Sequence, residues 1–308
     1  MSALVAAPAA APDAGAALVE GAAGPALGPA AGLDALAGIT LDELTATAAL
    51  QTRVDRKYVL TAEALRGPLA ALDGRTRVLE IDGRRTFGYA SVYFDTPDLA
   101  SYHLAAHRRR RRFKVRTRTY LDTRSCWLEV KTRGTRGSTV KHRVPHALDA
   151  SDRLDHGRWF VDEVLGGDAV DPVLAGAPAL AFAPVLTTRY RRTTLFLPGE
   201  HGRPGSRVTI DTDLAWEARG VRLTLPGTVV VETKTGSTAS AVDRLLWAHG
   251  HRPARISKYA TGLAALDPTL PATPWNRTLR RHFVVAPVPS ARATTSAAPA
   301  GTTPDDRT

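Results

Sequence analysis

"RRRRRFKVRTRTYLD" occupies residues 108–122, and eight of its first thirteen residues are basic. From Lys114 onward the charges fall on every second position. Lys114, Arg116, Arg118 and then Tyr120 share one parity, while Phe113, Val115, Thr117 and Thr119 hold the other. A β-strand repeats its faces every two residues, so this spacing describes a strand with one cationic face and one largely apolar face. Arg108–Arg111 show no such alternation and read as a solvated rim or an electrostatic funnel ahead of the strand.

The same pattern recurs on both sides of that stretch. "SCWLEVKTR" (125–133) sets Glu129 and Lys131 against Leu128 and Val130, and "STVKHRV" (138–144) sets Lys141 and Arg143 against Val140, His142 and Val144. "SRVTIDTDLAW" (206–216) sets Arg207, Thr209, Asp211 and Asp213 against Val208, Ile210 and Leu214. In "GTVVVETKTG" (227–236), Glu232 and Lys234 oppose Val231 and Thr233. Further strands are predicted over 54–60, 85–96 and 183–197 from their β-branched and aromatic content. Helices are predicted over 61–72 with Thr61 as cap, over 97–108, within 152–166, over 237–250 ending at Gly250, and over 254–266. The links "DTRS" and "GTRG" supply turn chemistry for an antiparallel meander. "GTRG" and "GEHGRPG" are turns rather than phosphate loops, because no Gly-Lys-Ser/Thr opens a helix after them. Eight or so antiparallel strands with marginal helices predict an α+β, mainly β fold, as a closed barrel or a strongly curved sheet.

A sheet with one polar face is ordinary when that face meets water. Five strands repeating mostly one sign of charge are not, because like charges on neighbouring strands repel by roughly 0.2–1 kcal/mol per pair. An anion resting on the face removes the conflict. Lysine usage points the same way: only Lys57, Lys114, Lys131, Lys141, Lys234 and Lys258 occur among 41 basic residues, and five of the six fall on candidate strands. A lysine ammonium is a compact point charge, not interchangeable with the planar arginine fork against phosphate oxygens.

The chain has 308 residues, 44% of them apolar, and a net charge of +11. No basic residue precedes Arg53, whereas Asp13, Glu20, Asp34, Asp42 and Glu43 do, so the charge from residue 53 onward is +16. That excess calls for an anionic partner. Aromatic residues make up only 6% of the chain, which disfavours the stacking platforms of single-strand nucleic-acid binders. No stretch reaches the roughly 18 apolar residues of a membrane span, and no secretory or transit signal is present. Cys126 stands alone, excluding an intramolecular disulfide. The expected organisation is a disordered Ala/Gly/Pro-rich tail over 1–40, one domain over 41–268 and a largely disordered extension over 269–308, in a cytoplasmic protein.

Taken in order, "RVDRKYVL", "SVYFDT", "FKVRTRTY", "LEVKTRG", "STVKHRV", "YRRTTLFL", "RVTIDTDL", "VVVETKTG" and "RISKYATG" resemble the VTC domain. That is the polyphosphate polymerase domain of the vacuolar transporter chaperone family, also found as stand-alone bacterial proteins. The likeness spans roughly residues 50–266 and places the chain among the triphosphate tunnel metalloenzymes, the CYTH-like superfamily. It implies a closed eight-stranded antiparallel β-barrel with peripheral and plugging helices, and transfer of the γ-phosphoryl group of ATP onto polyphosphate with Mn2+ or Mg2+. By the same resemblance Arg116, Arg118, Lys131, Lys141 and Lys258 are the catalytic cations. Lys57, Lys114, Arg192, Arg207, Lys234 and Ser257 bind substrate phosphates, and Glu232 holds the metal. Where the wider superfamily begins Glu-x-Glu-x-Lys, this chain has Val54-Asp55-Arg56-Lys57, which leaves one metal held chiefly by Glu232 and substrate oxygens. Of the two roles open to Glu129, assisting the metal and pairing with Lys131 or Arg118, the sequence favours the pairing. The regulatory SPX domain and membrane helices of the eukaryotic complex are absent from the sequence. ATP with inorganic polyphosphate or triphosphate are the expected partners. A triphosphatase on the same barrel and a non-catalytic polyanion-binding module are the alternatives.

Overall fold

The computed structural model describes residues 33–47, 54–133, 139–166, 180–199, 205–236, 238–283 and 288–289. Its strands are β1 (Ala37–Ile39), β2 (Val54–Thr61), β3 (Arg77–Leu79), β4 (Thr86–Asp95), β5 (Phe113–Tyr120), β6 (Ser125–Arg133), β7 (Thr139–His146), β8 (Ala183–Leu197), β9 (Ser206–Ala218), β10 (Val221–Thr224), β11 (Thr228–Thr235) and β12 (Val288–Pro289). Its helices are α1 (Leu41–Thr47), α2 (Ala62–Ala70), α3 (Ala100–Ala106), α4 (Arg158–Leu165), α5 (Ala241–Ala248), α6 (Lys258–Leu266) and α7 (Asn276–His282). The expected tail through residue 32, the "GTRG" turn, most of "GEHGRPG" and the stretch from 290 onward lie outside the described residues.

Eight strands form one antiparallel path, β2–β11–β9–β8–β4–β5–β6–β7. β10 and β12 extend it from the second half of β9, and β3 lines the end of β8 with β1 parallel beside it. The α+β, mainly β expectation therefore holds, but the barrel does not close: among the described residues β2 and β7 do not pair. Both edges have a reason to stay apart. The Lys57 carbonyl on β2 accepts a hydrogen bond from the Ala254 amide at 2.7 Å instead of from another strand. β7 is exposed along most of its length and contains Pro145, which has no N–H to offer. The sheet is nonetheless curled, since Lys57 on β2 lies within electrostatic reach of Lys114 on β5.

Two apolar layers fix which face is concave. Under α2 and α5, Tyr58, Leu60, Val208, Ile210, Val229 and Val231 pack against Leu65, Leu69, Val242 and Leu246. Under α4, Phe113, Val115, Leu128 and Val130 pack against Phe160 and Val161. Each fully buried side chain of this kind contributes roughly 1.5–3 kcal/mol. Covering the apolar parity with helices turns the charged parity inward.

A third core closes part of the interior, where Tyr259, Ala260 and Leu263 of α6 meet Tyr93, Tyr102 and Trp216. Asp95 ties this helix to β4 and α3. It accepts from the Ser101 and Tyr102 amides at 2.9 Å each and from the Tyr259 hydroxyl. Trp216 Nε1 donates to the Lys258 carbonyl at 2.8 Å, and a Cβ at Gly262 would overlap the indole. Only glycine lets helix and strand approach this closely.

Two details depart from the simple alternation. Asp213 has φ 51° and is exposed, and the β8–β9 register slips between Arg189 and Arg191. This bulge sends Asp213 outward, against the expected face it shared with Asp211, and brings Leu214 and Trp216 to the interior instead. Order also reaches beyond 41–268: Leu33 and Ile39 are buried with β1 paired to β3, and Trp275 and Thr278 are buried around α7.

Candidate functional site

The strand parity places the inward side chains, and the register pairs them. Arg116 on β5 stands directly opposite Glu129 on β6, and its Nε and Nη2 donate to Glu129 Oε2 at 2.9 and 2.6 Å. Lys141 Nζ lies 2.6 Å from Glu129 Oε1. Burial alone would raise the pKa of Glu129, but Arg116, Arg118 and Lys141 hold it well below the carboxylate range. The expected partners were Lys131 or Arg118. The directly opposed register gives the bond to Arg116 instead.

On the facing wall Arg192 of β8 opposes Asp211 of β9 and grips it bidentately, at 2.6 and 2.9 Å. Lys258, the first residue of α6, pairs with the same carboxylate and lies 4.3 Å from the Tyr190 ring centroid. Against the upward push of burial, Arg192 and Lys258 pull Asp211 down to about 2. Glu232 on β11 pairs with Lys234 beside it and lies 3.5 Å from Lys57 on β2. Burial raises its pKa, but Lys234 and Lys57 take it well below the usual range.

The remaining cations lack such anchors. Lys114 Nζ donates to Ser257 Oγ at 2.8 Å and has Lys57, Arg116 and Arg112 for neighbours; burial and those charges bring it down to about 7. Lys131 makes no ion pair among the described residues, and Arg116, burial and Arg118 push its pKa far down. Arg118 lies over Tyr89 at 5.8 Å, and its Nε is buried without a hydrogen-bond partner. The Tyr190 hydroxyl is buried and unpartnered too. Burial raises its pKa, but Arg118, Arg192 and Lys258 outweigh that and lower it.

Thus every sequence-predicted position lies on the concave side, and all six lysines of the chain converge there. Arg207 is the outlying member, opposite Lys234 in the ladder at the end of the row. Ser257 has a structural task besides, because its Oγ caps α6 by accepting from Ala260 N at 3.2 Å. Asp211 was not singled out as a site residue, although "IDT" put it on the same parity as Arg207. The signal was there: a wall this cationic needs internal counter-charges.

Among the described residues Glu129, Asp211 and Glu232 hold the paired cations of this face, Asp55 stands opposite Lys234 in the ladder, and cations still outnumber carboxylates. The chemistry of such a surface suits an anion, and the α6 N-terminus adds its positive dipole. No cluster of three His, Cys, Asp or Glu suited to a metal exists among the described residues. A single carboxylate still fits Mg2+ or Mn2+ when substrate phosphates supply the other ligands. Glu232 is the carboxylate held only by lysines, which can move aside, whereas Asp211 and Glu129 are clamped by arginines.

A family model for the VTC domain matches residues 52–267. No curated protein matches the chain. Among solved structures, an adenylate cyclase-type protein from Vibrio parahaemolyticus is 11% identical over 70% of this chain and 98% of its own, with a TM-score of 0.40. A Hippeastrum protein described as an adenylyl cyclase with a dominant triphosphatase activity is 14% identical over 69% and 96%, with a TM-score of 0.40. A conserved protein from Pyrococcus furiosus is 14% identical over 65% and 91%, with a TM-score of 0.33. No helix among the described residues is long and apolar enough to cross a membrane.

Proposed function

Since the chain belongs to the VTC domain family, we propose that it is a phosphotransferase that moves the γ-phosphoryl group of ATP onto inorganic polyphosphate with the help of a divalent metal. The observation that carries this reading is the convergence of all six lysines, with Arg116, Arg118, Arg192 and Arg207, on one concave face. Among the described residues Lys131 has no ion-pair partner and Arg118 Nε has no hydrogen-bond partner. Cations crowded together and left unanswered are a standing electrostatic cost unless an anion occupies the face.

Phosphoryl transfer through a loose transition state requires alignment and charge neutralisation more than covalent help from the protein. Arg116 and Lys141, fixed by Glu129, and Arg192 and Lys258, fixed by Asp211, present donors from two opposed walls. Arg118 and Lys131 between them are free to take phosphate oxygens. A terminal polyphosphate oxygen attacks the γ-phosphorus, the bond from γ-phosphorus to the β-bridging oxygen breaks, and ADP leaves. That oxygen is already ionised, so no general base is needed. A Mn2+ or Mg2+ ion bound through Glu232 and the substrate would neutralise charge on the phosphates.

Incubating the protein with ATP and Mn2+ or Mg2+ and resolving products on a gel tests the assignment. Chains longer than the input are expected, and Glu232→Gln should lower synthesis by at least about 100-fold, the loss typical of a removed transition-state charge contact. Orthophosphate as the sole product would make the protein a triphosphatase, and unimpaired synthesis by Glu232→Gln would remove Glu232 from the metal site.

A further inference from the structure

On the open flank of the curled sheet, Trp127 and Arg143 form a layered pair. The Arg143 guanidinium lies 4.5 Å from the Trp127 ring centroid. Trp127 is the ladder partner of Arg118, and Arg143 is the ladder partner of Glu129, so both share the charged face. Arg143 is exposed and Trp127 is half-buried, whereas Trp216 and Trp275 are buried in the core. Among the described residues no carboxylate pairs with Arg143.

Neither feature is explained by phosphate binding alone. A phosphate chain has no flat, weakly polar surface to lay on an indole, and an arginine recruited only for its charge has no reason to be held over a ring. Unpaired nucleobases do have such a surface, and proteins hold them by stacking on aromatic rings and on guanidinium planes. The pair sits at the rim of the row formed by Arg116, Arg118 and Lys131, where a base would lie if its phosphates ran inward.

We propose that Trp127 and Arg143 form a nucleobase platform. The base of a nucleoside triphosphate lies on the outer guanidinium plane of Arg143, with Trp127 holding that plane from behind. The proposal rests on the phosphotransfer reading above and adds to it that the donor enters from the β6–β7 edge and is a nucleotide rather than inorganic triphosphate. Stacking engages a π face rather than a hydrogen-bonding edge, so ATP and GTP bind within a few fold of each other.

Calorimetric titration of the full chain with ATP and with inorganic tripolyphosphate, in chelator to prevent turnover, tests this. Arg143→Lys keeps the charge and removes the plane, and Trp127→Ala removes the backing. Both should weaken ATP about tenfold, the loss expected for one stacked base, while tripolyphosphate changes by less than about twofold. Equal loss of both ligands in Arg143→Lys, or unchanged ATP binding in both variants, overturns the platform and leaves the phosphate-binding cleft standing. A wild-type chain that binds neither ligand sinks the cleft and the platform together.

Discussion

Lys114 has Lys57, Arg112 and Arg116 in range and no carboxylate paired with it among the described residues, and burial together with those cations brings its pKa from 10.5 to about 7. The sign of the consequence follows from linkage. Between about pH 7 and 10.5 the unfolded chain holds a proton that the folded chain does not, so lowering the pH across that window costs stability. Lys114→Met should therefore stabilise the ligand-free protein at pH 7 by about 1 kcal/mol, a rise of roughly 2–4 °C in Tm, with the gain fading towards pH 10.5. The gain is small because the side chain is only half-buried and solvent screens part of its charge. Binding tripolyphosphate at pH 8 should take up at least about one proton, read by calorimetry in buffers of different ionisation enthalpy, and Lys114→Met should lower that uptake, with Lys131 and Lys234 supplying the rest. A variant less stable than the parent at pH 7 would overturn this account. At this scale the sequence was informative about which residues face inward, since parity alone sorted Lys114, Arg116, Arg118, Lys131 and Glu232. It was silent on who holds whom. Glu129 goes to Arg116 and Asp211 to Arg192 because register sets those partners, and register is a property of two strands rather than of either.

Among the elements, α6 does the most to shape the cleft. Its first residue is Lys258, its cap is Ser257, and its body is pinned by Trp216 Nε1 to the Lys258 carbonyl and by Tyr259 to Asp95. Gly262 is the contact that lets it seat. Gly262→Ala should force the helix off Trp216 at a cost of about 1–3 kcal/mol and lower Tm by roughly 5 °C. Because Lys258 rides on the same helix, transfer activity should fall in the variant even at temperatures where it is fully folded; scanning calorimetry beside a synthesis assay reads both. An unchanged Tm would mean that the indole has room to move. The helix itself was expected over 254–266 and starts four residues later at Lys258. Five of the eight long strands were legible from their period of two, and the other three from β-branched and aromatic content. The bulge at Asp213 was not. A single extra residue leaves the local composition intact and shows itself only where the paired strand fails to keep step.

For the molecule as a whole, part of the excess of +16 from residue 53 onward lies on the inward row and part on the exposed Arg108–Arg110 rim that follows α3. The two act over different ranges. In the proposed reading inward cations meet the substrate in a space where solvent screens little, whereas rim arginines act through water, where fields fade over about 8 Å at physiological salt. Closure of the barrel was the one global feature the sequence led us to expect and the fold does not have. Edge pairing depends on what competes for each edge, here the Ala254 amide on β2 and the lack of an N–H at Pro145 on β7. An open flank exposes the inward row to approaching anions, which gives the rim a steering task. Arg109→Ala should accordingly leave kcat within about twofold, while kcat/KM for ATP falls severalfold at low salt and converges with the parent above roughly 0.3 M. Arg116→Ala should lower kcat by at least about 100-fold at every salt concentration, since it removes a substrate contact and strands the buried Glu129 carboxylate. Initial rates across an ionic-strength series separate the two. Parallel curves for both variants would mean that rim and row form one continuous binding surface, with no division of labour at Arg112.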